Sequence, residues 1–165
     1  MSSATFKKTF FTTLTVLCIV LGFELIAFFL TFSDFLDFHN ILIHSLWIYP
    51  KPVLWGIWIV KTVLSTLCIT RVYLCEPSEY RSRILKLWAL FFILDILWPL
   101  AFLWLEAPLL STILVTCMLP TLFIALLLCF LIDKPAAYAL IIFGLMIVSK
   151  AFLHWEIYLL KINAL

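Results

Sequence analysis

Residues 85–105 read LKLWALFFILDILWPLAFLWL. Beyond Lys86 at its start, the run holds a single charge, Asp95, near its middle. A helix rises 1.5 Å per residue, so about 20 apolar residues cross the roughly 30 Å of a bilayer's hydrocarbon core. This run has that length, and a helix apolar on every face belongs in lipid rather than on the surface of a soluble core. Four further stretches meet the same requirement, at about 9–32, 53–74, 109–132 and 136–160. Their limits are drawn by Ser33-Asp34, Tyr49-Pro50-Lys51-Pro52, the charged run Glu76 to Arg83, Glu106-Ala107-Pro108 and Asp133-Lys134-Pro135. Prolines at the start of the second, fourth and fifth spans suit a first helical turn, where the missing N–H has no partner to lose.

The whole chain agrees with its third span. Of 165 residues, 66% are hydrophobic and 12% charged, and the mean hydropathy is +1.22. Soluble domains carry about 45–50% apolar and about 25% charged residues. Such a composition excludes a soluble enzyme, a nucleic-acid binder and a disordered chain. The expected fold is all-α, an integral membrane bundle of five transmembrane helices forming a single domain over residues 1–165. The first run follows Lys7-Lys8, but it exceeds the apolar length of a signal peptide and precedes no small-x-small cleavage site, so it reads as a retained helix.

Lysine and arginine bias predicts direction. Lys7 and Lys8 precede the first span, and Arg71, Arg81, Arg83 and Lys86 flank the second loop, whereas the first and third loops are acidic or nearly uncharged. The N-terminus is therefore expected in the cytoplasm and the C-terminus outside, with a bacterial inner membrane as the expected setting. The long first loop, 33–52, stays rich in Phe, Leu, Ile and Trp. That composition fits a lid over the bundle, an interfacial helix, or a segment lying passively among headgroups.

Glu24, Lys61, Asp95 and Lys150 lie well inside four different spans. Helical rise and the assigned directions place them about 22, 18, 15 and 21 Å above the cytoplasmic boundary. Each isolated charge near the bilayer centre costs about 2.5–3.5 kcal/mol. Two acids and two bases in one slab thus predict either an ion-pair network that fixes helix register or a polar pocket. Helical spacing aligns Trp58, Lys61, Ser65 and Cys68 on one stripe, Trp88, Phe91, Asp95, Trp98 and Phe102 on another, and Met146, Lys150, His154, Ile157 and Lys161 on a third. Aromatics around a polar centre suit a large, flat, mostly apolar ligand. Pro99 and Pro120 each free a carbonyl one turn earlier, those of Asp95 and Thr116, and predict kinks near the same depth.

No catalytic motif stands in the sequence, and a non-enzymatic protein is expected. His39, His44 and His154, with Asp34 and Asp37, match no metal-ligand spacing, and the three histidines read as interfacial. No metal and no cofactor is expected, and the scattered cysteines, with no Cys-x-x-Cys, predict no disulfide framework.

These residues resemble the TspO/MBR family, the translocator or tryptophan-rich sensory proteins. Leu94-Asp95-Ile96-Leu97-Trp98-Pro99-Leu100-Ala101-Phe102 is similar to the family's third-helix Leu-Asn-x-x-Trp-Pro signature, with Asp95 in place of Asn. Lys51-Pro52, Gly56-Ile57-Trp58 and Ile162-Asn163 look like its other landmarks. Lys61, Asp95 and Lys150 put charges where the family is usually neutral, and Phe143-Gly144 stands in place of an expected Pro-Tyr. The resemblance implies a five-helix bundle, often a homodimer, that binds a tetrapyrrole such as a porphyrin, or a sterol, under a lid formed by the first loop. By position, Trp58, Asp95 and Trp98 would line that pocket, and Trp47 and Tyr49 would come from the lid. Lys61 or Lys150 would then pair with a ligand carboxylate. Leu153, Tyr158 and Lys161 also fit a cholesterol-recognition pattern.

The leading expectation is accordingly a membrane receptor or carrier for a hydrophobic ring ligand. The rivals are a small proton- or ion-coupled transporter using Glu24 and Asp95, and a structural membrane subunit.

Overall fold

In a computed structural model, the protein is described over residues 3–32 and 51–163. Five helices account for nearly all of them: α1 (Ser3–Phe32), α2 (Lys51–Leu74), α3 (Glu79–Pro99), α4 (Pro108–Ile132) and α5 (Lys134–Asn163). Each is long and apolar enough to cross a membrane. The first loop, with Trp47, Tyr49, His39 and His44, lies outside the described residues.

The helices run past the apolar stretches because hydropathy marks where lipid ends, whereas a helix ends where its backbone donors find other partners. Ser78 is extended, and its hydroxyl accepts from Arg81 N at 3.1 Å, so α3 starts among the charged residues 79–83 rather than at 85. Asp133 does the same for α5, accepting from Ala136 N at 2.8 Å, with Pro135 in the first turn. Glu79 and Arg83 pair along the first turns of α3.

The expected disturbance at Pro99 takes a definite form. Helix α3 continues to Pro99 and then widens into a π-helical turn, Leu100–Trp104, closed by Leu105 N on Leu100 O at 3.1 Å. Glu106, in the left-handed region at φ 49°, and Ala107, at φ −105° and ψ 76°, then turn the chain into α4, whose first residue is Pro108. Pro120 stays inside a continuous α4.

Packing is inside-out relative to a soluble bundle. Large apolar side chains such as Phe11, Phe29, Leu131, Leu145 and Phe152 face outward, as a lipid-bathed surface requires. Helix α4 packs chiefly on α3 and α5, α5 also on α2, and α1 on α2 and α3. Their core is aromatic at its centre, where Trp88, Phe91, Phe92 and Phe143 meet at ring-centroid separations of 5.2–5.8 Å. Phe23 of α1 stacks on Phe92 at 5.1 Å and ties the first helix to that cluster. This apolar block leaves the mid-membrane charges one place to go, the junction of α1, α2, α3 and α5.

Candidate functional site: an ion-pair relay across four helices

Side-chain charge cannot stay isolated in hydrocarbon, so the four ionisable groups of the slab must find each other or water. They find each other. Lys61 Nζ on α2 lies 2.8 Å from Glu24 Oε2 on α1 and 2.8 Å from Asp95 Oδ2 on α3. The second oxygen of Asp95, Oδ1, takes Lys150 Nζ of α5 at 2.8 Å. The result is an unbranched chain, Glu24–Lys61–Asp95–Lys150, with no net formal charge and one member from each helix.

Asp95 is its centre, because its two oxygens hold the two ammonium groups separately. The acids are the more deeply sealed members, at 2% exposure for Glu24 and 3% for Asp95. The lysine side chains keep 14% and 21%, as flexible stems around a buried acid allow. Glu24 Oε1 is buried and has no hydrogen-bond partner among the described residues. On the hydropathy estimate the four groups merely shared a depth. The helix rotations turn that shared depth into contact.

Lys150 has a second neighbour, since its ammonium stands 4.0 Å from the centroid of the Trp98 ring. The far side of this unit is His154, one turn beyond Lys150 on α5. Its ring meets Trp98 edge-on at 4.9 Å and Phe102 at 5.5 Å. The sequence reading put His154 at the membrane interface. The structure corrects this: His154 is 2% exposed, and its Nδ1 lies 3.3 Å from Ser111 Oγ on α4. Thr112, beside Ser111, donates to Pro108 O at 2.8 Å and to His154 O at 3.2 Å. Helix α4 carries no buried charge, so it joins the polar centre through these hydroxyls.

Trp58, Lys61, Asp95, Trp98 and Lys150 were the described candidates. Four of them, Lys61, Asp95, Trp98 and Lys150, converge. Trp58 sits about one turn from Lys61 on α2 and meets Trp55 edge-on at 6.1 Å, outside the relay. Trp47 and Tyr49 lie outside the described residues, as does the Lys161 side chain. Ser111 and Thr112 were missed by the sequence reading, although their position one turn into an otherwise apolar span was a signal.

A five-helix membrane bundle whose third helix ends in Leu94-Asp95-Ile96-Leu97-Trp98-Pro99 and presents Trp98 to its polar centre can be compared with known families. The sequence profile of the TspO/MBR family matches residues 14–160. The chain belongs to the TspO/MBR family. No curated protein matches it. In this family member the mid-membrane charges form one connected network: Lys61, Asp95 and Lys150 all touch another member of it.

At the end of the bundle that holds the α2–α3 and α4–α5 connections, Arg71 grips Asp133 through two hydrogen bonds, Nε to Oδ1 at 2.9 Å and Nη2 to Oδ2 at 3.0 Å. Burial alone would raise the Asp133 carboxyl. The Arg71 guanidinium and the Ala136 N–H outweigh it and hold the group below its ordinary value. Nearby, burial and the Asp133 charge push the Cys75 thiol up. This pair latches α2 to the start of α5, about ten residues along α2 from the relay.

Proposed function

We propose that this TspO/MBR protein is a non-enzymatic membrane receptor or carrier for a hydrophobic ring ligand bearing an acid group, of the tetrapyrrole or sterol-like class. The observation that carries this reading is the position of Lys150: one ammonium that both pairs with Asp95 and stands over the Trp98 face. A flat ring with a carboxylate needs that combination, an aromatic surface for the ring and a detachable cation for the acid. Lys61 holds two carboxylates, whereas Lys150 holds one. A ligand acid therefore displaces less when it takes over Lys150 than when it takes over Lys61. The Lys/Arg distribution supports a cytoplasmic N-terminus and an outer C-terminus, in a bacterial inner membrane, and the family supports a homodimer.

Titration with protoporphyrin should quench tryptophan fluorescence saturably, and the apparent affinity should fall at least about tenfold in Trp98→Ala and in Lys150→Met. Absence of saturable quenching in the folded protein refutes the reading.

A second reading, proton- or ion-coupled transport, draws on the unpartnered Oε1 of Glu24 beside the relay. It requires pH-dependent flux in proteoliposomes that disappears in Asp95→Asn. Flux unchanged by that substitution excludes it.

A further inference from the structure

Helix α3 shows the lipid a stripe that changes character along its length. Glu79, Arg83, Lys86, Leu90, Ile93 and Leu97 follow one another at alternating spacings of four and three residues, and all six are exposed. That spacing keeps them on one side of the helix, opposite the buried Trp88, Phe92 and Asp95. The apolar run opens at Leu85, so Lys86 stands at the boundary between headgroups and hydrocarbon. Arg83 lies about 4.5 Å from it toward water, and Leu97 about 16 Å from it into hydrocarbon.

The charge at the wet end of the stripe does not cancel. Glu79 pairs with Arg83 and offsets it. Lys86 takes part in none of the ion pairs among the described residues. Asp133, at the same end of the bundle, is held by Arg71, and Glu76 stands in the loop before Ser78. Helix α1, packed on α3, brings only the exposed cations Lys7 and Lys8 to that end. The stripe is left with one net positive charge at the boundary. A second copy of the chain fits this face poorly. In a two-fold dimer with its axis along the membrane normal, residues of a shared stripe meet their own counterparts at equal depth. Lys86 would then face Lys86, with Glu79 about 10 Å away along the helix.

We propose that the outward stripe of α3 binds one anionic phospholipid of the adjoining leaflet, with its phosphodiester on Lys86 and Arg83 and an acyl chain along Leu90, Ile93 and Leu97. A lipid of net charge −1 balances the stripe, whereas a zwitterionic lipid brings its own ammonium to a site that already holds a spare cation. Side chains on a helix lean toward its N-terminus, so the Lys86 stem carries its ammonium toward the headgroups. The inference is independent of the ring ligand, whose contacts lie inside the bundle at Lys150 and Trp98.

The test uses the full chain, delipidated in a nonionic detergent. Thermal unfolding is followed by tryptophan fluorescence as phosphatidylglycerol or phosphatidylcholine is added. Phosphatidylglycerol should raise the unfolding temperature saturably, because a lipid that binds only the folded chain stabilises it by mass action. One basic residue at an anionic lipid surface is worth about fivefold in affinity. Half-saturation should therefore come at an at least about fivefold lower concentration of phosphatidylglycerol than of phosphatidylcholine, and Lys86→Gln should cut that preference to less than about twofold. Lys86→Arg should keep the preference, and so should Lys134→Gln, which removes an exposed charge at the same end of the bundle but on α5. Equal half-saturation by the two lipids in the parent overturns the proposal, as does a loss of preference in Lys134→Gln as large as in Lys86→Gln. An unfolding temperature that rises with protein concentration rather than with lipid, and ceases to do so in Lys86→Gln, gives the face to a second copy and overturns it too.

Discussion

Asp95→Asn is the most informative single change in the molecule. The substitution keeps volume and shape but removes the charge at the centre of the relay, leaving Glu24 to offset Lys61 and leaving Lys150 with no anion. Breaking a buried ion pair by removing one partner costs about 3–5 kcal/mol. Two features place this case at the lower end. Lys150 retains 21% of its side-chain exposure, and it keeps the Trp98 face, an interaction of about 0.5–2 kcal/mol. The expected loss is therefore about 3 kcal/mol, or roughly a hundredfold in the unfolding constant.

The same reasoning fixes the rescue. Lys150→Met in the Asp95→Asn background removes the stranded ammonium and restores charge balance through Glu24 and Lys61. The double variant should come within about 1 kcal/mol of the parent, a coupling of at least about 2 kcal/mol between the two sites, larger by whatever Lys150→Met costs alone. Equilibrium unfolding in detergent micelles, titrated with sodium dodecyl sulfate and followed by tryptophan fluorescence, measures all four corners of the cycle. A single-variant loss below about 1 kcal/mol, or a double variant no more stable than Asp95→Asn, refutes the claim that the relay is a charge-balanced unit.

Three further outcomes are expected. Asp133→Ala removes the cap of α5 and the Arg71 latch and should cost about 1–2 kcal/mol, read by thermal unfolding in detergent. Because the folded state holds the Asp133 carboxyl below its ordinary value, the wild-type contribution is complete above that ordinary value and fades as pH falls through the lower folded one; the parent-minus-variant difference should shrink in acid and stay constant at neutral pH. His154→Leu strands the hydroxyl of Ser111, which is 0% exposed, so it should cost about 1–3 kcal/mol, part of which Ser111→Ala recovers in the double variant. Gly144 stands within α5, and an added Cβ meets nothing within 4 Å, so Gly144→Ala should raise stability by about 0.5–1 kcal/mol; a loss would mean the groove beside Pro120 and Leu140 is needed empty.

The five crossings were legible because each is a continuous apolar run closed by proline or charge, a signal that does not depend on knowing any neighbour. Helix ends were less so. Hydropathy stops α3 at residue 85 and α5 at 136, yet Ser78 and Asp133 start those helices earlier by capping donors that hydropathy does not register. Pro99 announced a disturbance but not its shape. The lost N–H is local, whereas the π-helical closure of Leu105 on Leu100 depends on how the chain enters α4.

The candidate site shows the same division more sharply. Rise per residue needs only the span and its direction, so the common depth of Glu24, Lys61, Asp95 and Lys150 could be worked out from the sequence. Which of them touch depends on the rotation of each helix about its own axis, and the packing of Phe23, Trp88, Phe91, Phe92 and Phe143 sets that rotation. His154 was misplaced for a related reason. Its distance from the helix end suggested an interface, but burial there is decided by Ser111 and Thr112 on the neighbouring α4.

The relay also explains how this chain can carry four charges in the middle of its membrane spans. A lone lysine or aspartate at mid-membrane is a penalty of several kcal/mol, and a lone pair fixes only two helices. Here the acid shared by both lysines makes the arrangement all-or-none: Asp95 satisfies Lys61 and Lys150 only when α2, α3 and α5 hold their rotations together, and Lys61 reaches Glu24 only when α1 joins them. Register of four helices is thereby set by three contacts. The same wiring makes the ends of the chain unequal. Lys61 is held from two sides and belongs to the scaffold, whereas Lys150 hangs from one carboxylate oxygen beside an aromatic face. A ligand acid that competes for Lys150 brings one further negative charge into the layer but leaves Asp95 still paired to Lys61, so the bundle can exchange one contact while the Glu24–Lys61–Asp95 contacts that hold the other helices remain.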